Sequence, residues 1–183
     1  RNVRVGVRAF GHRLGWSVDE PVQPLTRPDF TGMLDPDLTP SQDVESILML
    51  NDFQLADAQT VVPKIGEVKP WGQSPLYLSV LQSLEEFSTA DARADRHVIV
   101  ITDGANYQFI PPTIAGIQKT TDNDVRQAWG SRQTPVHILG LGMDRSQQPE
   151  AVGEFTRLCA DTGGRFQALT GSTDLARALR ELL

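Results

Sequence analysis

The chain has 183 residues, 39% of them hydrophobic and 22% charged, with 23 acidic against 17 basic side chains for a net charge of −6. That length suffices for one domain with a sizeable core, and the acidic balance leaves no electrostatic footprint for nucleic acid or an anionic membrane surface. No apolar run reaches the ~20 residues of a membrane span, no signal peptide is legible, and the single Cys159 excludes an internal disulfide or a cysteine metal cluster and fits a reducing, intracellular compartment.

In chain order, Val3, Val5, Val7 and Ala9 alternate with Arg4, Gly6 and Arg8. This period of two predicts a half-exposed or edge strand from Asn2 to Phe10. A chain that starts at Arg1 and enters a strand pattern at once reads as a piece of something longer. From Trp16 to Pro40 the prolines at 21, 24, 28, 36 and 40 deny a regular helix or a central strand. The stretch reads as a long loop with Val22 to Leu25 extended. Asp43 to Leu50 fits either a short strand or a helical turn. Leu55, Ala58, Val62 and Ile65 have helical spacing, with Pro63 either kinking that helix or standing in the first turn of a shorter one.

Pro70 to Leu76 is turn-forming and leads into a helix with Tyr77, Val80, Leu81, Leu84 and Phe87 on one face. Ser74 is placed as its N-cap and Pro75 at its first position. Next comes His97-Val98-Ile99-Val100-Ile101-Thr102-Asp103-Gly104. Four consecutive β-branched apolar residues predict a strand covered on both faces, as in a parallel sheet. Asp103 then sits at the carboxyl end of that strand, the edge where ligands bind in open α/β sheets; a simple turn start is the alternative.

A second long loop runs from Ala105 to Thr120 and carries Tyr107, Phe109 and Pro111-Pro112. Thr121 with Asp124 makes a capping box for a helix bearing Val125, Ala128 and Trp129. Pro135 to Leu141 predicts a strand, and its Gly140-Leu141-Gly142 is too short for a dinucleotide fingerprint. Val152, Phe155, Leu158 and Cys159 mark a helix stopped by Gly163-Gly164. A short strand from Arg165 to Leu169 follows. A final helix, capped by Ser172 or Thr173, turns Leu175, Ala178, Leu179 and Leu182 inward. Strand and helix alternate from Leu76 onward, which predicts βαβ units and an α/β fold with a mostly parallel sheet.

The order of these segments resembles a von Willebrand factor A domain. Ala9-Phe10-Gly11, Gly72-Gln73-Ser74-Pro75-Leu76, Ile99-Val100-Ile101-Thr102-Asp103-Gly104, Val136 to Gly142 and Ala160-Asp161-Thr162-Gly163-Gly164-Arg165-Phe166 follow one another as in that family. The resemblance covers roughly four-fifths of the family domain. It implies a doubly wound, Rossmann-like sheet with helices on both faces and a divalent-cation site at the carboxyl ends of the strands. It places Ser74 and Asp103 at that site, toward Mg²⁺, Mn²⁺ or Ca²⁺. The family's Asp-x-Ser-x-Ser loop does not occur in this sequence, and the first, central strand that carries it is missing with it. In the family that strand lies between the one ending at Phe10 and the one ending at Thr102. The expectation is that sequence upstream of Arg1, or another chain, supplies it.

The resemblance therefore implies a protein-binding module rather than an enzyme, with Trp71, Gln73, Tyr107 and Phe109 as partner contacts, since aromatic anchors are enriched at interface hot spots. Core packing is the alternative for the aromatic residues. A metal-free scaffold domain inside a larger assembly is the second reading, and a hydrolase or phosphotransferase using Asp103 the third. No Gly-x-Ser-x-Gly elbow supports the last. His12, His97 and His137 lack zinc-motif spacing and read as packed or surface histidines, and Cys159 as a core residue.

Overall fold

The alternating Val and Arg residues form strand β1 (Arg4–Phe10), which pairs antiparallel with β4 (Val44–Asp52), Phe10 opposite Val44 and Arg4 opposite Asp52. The structure, a computed structural model, describes residues 3–16, 24–26, 43–87, 94–108 and 118–182. It divides into one unit of Arg1–Ser79 with Tyr107–Thr120 and a second of Val80–Asn106 with Thr121–Leu183.

In the first unit the ambiguous Asp43 to Leu50 segment resolves as a strand. Its partner lies more than thirty residues upstream, so the deciding interaction is long-range, as is usual for strands whose own pattern is weak. Between these two strands, β2 (Leu14–Trp16) pairs antiparallel with β3 (Pro24–Thr26). A short ribbon thus stands inside the stretch expected to be loop, with Pro24 at its end, where a missing N–H costs little. The remainder of that stretch, residues 17–23 and 27–42, lies outside the described residues.

Helix α1 (Leu55–Glu67) follows β4 and carries Pro63 in its interior, which decides between the two expected placements against the first-turn one. Proline there removes the N–H that would reach the Gln59 carbonyl. Both residues are exposed, so water takes the freed acceptor. Helix α2 (Leu76–Glu86) begins one residue later than expected. The Pro75 carbonyl accepts from the Ser79 N–H at 3.1 Å, so Pro75, not Ser74, is the N-cap residue.

The second unit holds a parallel sheet in the order β5 (Val98–Thr102), β6 (Val136–Leu141), β7 (Phe166–Leu169). Helices α3 (Asp122–Arg132), α4 (Pro149–Asp161) and α5 (Ser172–Leu182) connect and follow these strands. The Thr121–Asp124 capping box of α3 is present, with the Thr121 N–H donating to Asp124 at 2.7 Å. That hydrogen bonding holds the Asp124 carboxyl below its ordinary range. At α5 the Gly171 carbonyl accepts from Leu175 N–H, so Gly171 is the cap and Ser172 the first helical residue.

Because side chains alternate across a strand, the register assigns each face its cover. Ile99, Leu139, Leu141 and Leu169 pack with Leu175, Ala178, Leu179 and Leu182 of α5. Val100, Ile138 and Phe166 share the other face, where the Phe155 ring of α4 lies 6.3 Å from that of Phe166. Phe155, Leu158 and Cys159 are fully buried there, and each large apolar side chain so buried is worth roughly 1.5–3 kcal/mol. The second unit is therefore α/β. The antiparallel β1–β4 pair forms a sheet of its own, which the expectation of one mostly parallel sheet did not include.

The Val98 N–H donates to the Pro135 carbonyl, which turns the backbone groups of Val98, Val100 and Thr102 toward β6 and those of Ile99 and Ile101 to the opposite edge. Among the described residues no strand pairs with that edge.

Helix α4 ends in a Schellman motif. Gly163, at φ +71°, donates to Ala160 O, and Gly164 donates to Cys159 O at 2.8 Å. A Cβ on Gly164 would stand 1.9 Å from the Val136 carbonyl oxygen, so only glycine lets this turn reach β6. Gly164→Ala is expected to cost about 3 kcal/mol. Gly153→Ala, facing open space in α4, should be neutral or stabilising by up to about 1 kcal/mol. Urea denaturation of both variants checks the contrast, and equal stabilities would contradict it.

Candidate binding loops

Strand β1 runs into a turn at Gly11, whose φ of +71° is left-handed. Asp43, buried at 1% exposure, secures the turn from the start of β4. Its Oδ1 accepts from His12 N–H at 2.9 Å and Arg13 N–H at 2.7 Å, while its carbonyl accepts from Gly11 N–H at 3.1 Å. The His12 ring, also buried, places Nε2 2.9 Å from Glu45 Oε2. The segment from Trp71 to Ser74 lies directly on this turn. Trp71 N–H donates to Gly11 O at 3.2 Å, and a Cβ on Gly11 would meet Gln73 O at 2.4 Å.

Ser74 and Tyr107 form an isolated antiparallel bridge. Ser74 N–H donates to Tyr107 O at 3.0 Å, and Tyr107 N–H to Ser74 O at 2.8 Å. Of the sequence-derived site residues, then, Trp71, Gln73, Ser74 and Tyr107 come together in the first unit. Tyr107 is 59% exposed, an unusual position for so large a ring. Trp71 is half-buried, and its Nε1 lacks a hydrogen-bond partner among the described residues. Gln73 is buried. Phe109 lies outside the described residues. Just before it, the buried Gln108 accepts from Thr120 N–H at 2.8 Å and ties together the two described ends of the long loop.

Asp103 belongs to the second unit. The Thr102 hydroxyl, buried, donates to Gly104 O at 3.0 Å and accepts from Gly104 N–H at 3.3 Å. These bonds fix the turn and leave Asp103 exposed at the end of β5, with no hydrogen bond or ion pair assigned to its carboxylate among the described residues. The Ser74 hydroxyl is likewise unengaged there, since its expected capping role falls to Pro75. Divalent cations of the magnesium and calcium class need six or more oxygens, several of them carboxylate or carbonyl. One hydroxyl and one carboxylate do not meet that demand, and no group of three acidic, histidine or cysteine side chains suited to a metal occurs among the described residues.

The expected character of the other reactive side chains is clear. Cys159 is fully buried, and burial pushes its thiol up to about 12, far from nucleophilic. His12 and His137 are buried and His97 half-buried. No helix among the described residues is long and apolar enough to cross a membrane. Sequence reasoning missed Asp43, His12 and Gln108. Asp43 and Gln108 act through backbone groups, and the His12 ring through the Glu45 carboxylate, all distant in sequence, and no motif announces such contacts.

No protein-family model matches the chain, and no curated protein matches it. Among solved structures it is similar to the crystal structure of a conserved hypothetical protein, BatB, from Bacteroides thetaiotaomicron. The TM-score is 0.52 at 15% identity, over 76% of this chain and 72% of that one. That likeness shows an α/β fold.

Gly11→Ala is expected to destabilise the protein by about 2–3 kcal/mol, from the left-handed φ and the contact with Gln73 O together. Thermal or urea unfolding measures this, and a loss below half that size would mean that the turn and the Trp71–Ser74 segment yield independently.

Proposed function

We propose that this chain is a protein-binding module of the von Willebrand factor A type, which docks a protein partner on the loops around Ser74 and Tyr107. The observation that carries the reading is the reciprocal Ser74–Tyr107 bridge, which holds the two loops in one backbone arrangement and leaves the Tyr107 ring exposed. A preformed loop pair with an exposed aromatic ring lowers the ordering cost of binding and offers an anchor of the hot-spot kind. The motif order in the sequence and the likeness to the BatB structure support the doubly wound form of the fold. On this reading a further parallel strand occupies the free edge of β5, since an apolar edge left open invites association.

Among the described residues, the resemblance offers the expected cation only Ser74 and Asp103. Docking is therefore assigned to the loops and no step to a metal. Hydrolase or phosphotransferase chemistry gains nothing from an exposed, unassisted Asp103. Calorimetric titration with Mg²⁺ and Mn²⁺ is expected to show no saturable binding by the chain alone. Binding that Asp103→Ala abolishes would restore the metal-dependent form.

The docking itself is tested by capture from a lysate of the source organism. One identifiable protein should be retained by the immobilised chain and lost, tenfold or more, with Tyr107→Ala at unchanged thermal stability. Equal retention by the variant would remove these loops from the interface.

A further inference from the structure

A line of three side chains crosses the amino ends of β5 and β6, at the opposite end of the strands from Asp103. His97 Nδ1 lies 3.1 Å from His137 Nε2, and His97 Nε2 lies 3.1 Å from Asp95 Oδ1. The rings are tilted at 38° with centroids 5.2 Å apart. His137 is buried at 5% exposure, and its Nδ1 has no hydrogen-bond partner among the described residues.

Only one assignment of protons satisfies both contacts with neutral rings. His137 Nε2–H donates to the bare His97 Nδ1, and His97 Nε2–H donates to the Asp95 carboxylate. The orphan His137 Nδ1 is then a lone pair. The reverse assignment would bury an unpaired N–H on His137 and turn a second acceptor toward Asp95.

We propose that Asp95, His97 and His137 form an acid-sensitive latch, which joins the amino ends of β5 and β6 while both rings are neutral and opens on protonation. A proton added to His97 Nδ1 would set two N–H groups against each other across the 3.1 Å contact. A proton added to His137 enters at Nδ1, which is buried and has no acceptor among the described residues. Moving the His137 proton from Nε2 to Nδ1, so that a charged His97 can donate to it, leaves the same unpaired N–H. Every route to the charged pair therefore carries a penalty.

The surroundings do not offset it. Arg165, which leads into β7, adds a second positive charge near His137. The inward side chains of α5 are apolar, and its Arg177, Arg180 and Glu181 are exposed. Asp95, the one anion in contact with the pair among the described residues, is 89% exposed in its side chain and stands beyond His97. Burial first, then His97, then Arg165 lower the His137 pKa below its ordinary 6.5. A lowered folded value means that the contribution is fully present above the unfolded value near 6.5 and is lost as pH falls through the folded one.

The test is urea unfolding of the chain between pH 8 and pH 5, with His137→Gln and His97→Asn. The glutamine nitrogen replaces the Nε2–H donor and the asparagine oxygen the Nδ1 acceptor, so each keeps the hydrogen bond; His137→Gln removes the buried titrating ring, and His97→Asn removes only its charged neighbour. In the wild type the unfolding constant should rise by up to about tenfold per pH unit below 6.5 beyond the slope of His137→Gln, with His97→Asn between the two. Nitrogen-15 NMR at pH 8 should find the proton on Nε2 of both His97 and His137. Identical pH slopes in all three proteins would overturn the latch, and so would a proton on His137 Nδ1 at pH 8. The NMR result decides alone should the variants not fold.

Discussion

Two backbone hydrogen bonds, Ser74 N–H to Tyr107 O and Tyr107 N–H to Ser74 O, are the constraint on which the proposed docking loops depend. Loops carry few internal bonds, and an unpaired loop would pay ordering entropy on every encounter with a partner. Here the reciprocal pair holds the chain on both sides. The Gly11 turn supports it through Trp71 and the close approach at Gln73 O. Asp43 supports that turn in its own right by accepting two consecutive amides. The bridge and the Gly11 contacts are backbone chemistry, and the Asp43 carboxylate supplies the side-chain support. The side chain that results, Tyr107, is left exposed without taking part in the scaffold.

The parts of the fold legible in the sequence are those whose deciding interaction is local. Val98 to Ile101 could be read as a two-sided strand because the run itself carries the pattern. The Thr121–Asp124 box and the Gly163-Gly164 stop are likewise three- to five-residue chemistry, and the inward face of α5 follows from its own spacing. The elements left open are decided by partners at a distance or by exposure to water. Strand β4 needs β1 as a partner, and the β2–β3 ribbon needs a pairing across a proline-rich stretch. Helix α1 continues through Pro63 because both that residue and the carbonyl it strands are in water. The shift from Ser74 to Pro75 as cap is a single residue, yet it changes the site, because it leaves the Ser74 hydroxyl free of capping.

The site was legible in part. Trp71, Gln73, Ser74 and Tyr107 fall together in one unit, although only the order of motifs suggested grouping them. Asp103 is held by Thr102 in a second unit at the end of β5. The donors that the resemblance places at a cation are too few for one. A hard cation and an aromatic anchor make different demands, oxygen count in the first case and a firm exposed surface in the second. The residues present meet the second. The His97–His137 pair belongs to the second unit, and its proposed chemistry concerns the stability of the parallel sheet rather than docking.

The most direct measurement of the docking claim is site-specific photo-crosslinking in the source cell. A photoreactive residue would replace Tyr107 in one version and Gln127, exposed on α3, in another. A discrete protein adduct at position 107 and none at 127 is the expected result. Adducts at 127 alone, or none at either position, would contradict a docking surface on the Ser74–Tyr107 loops.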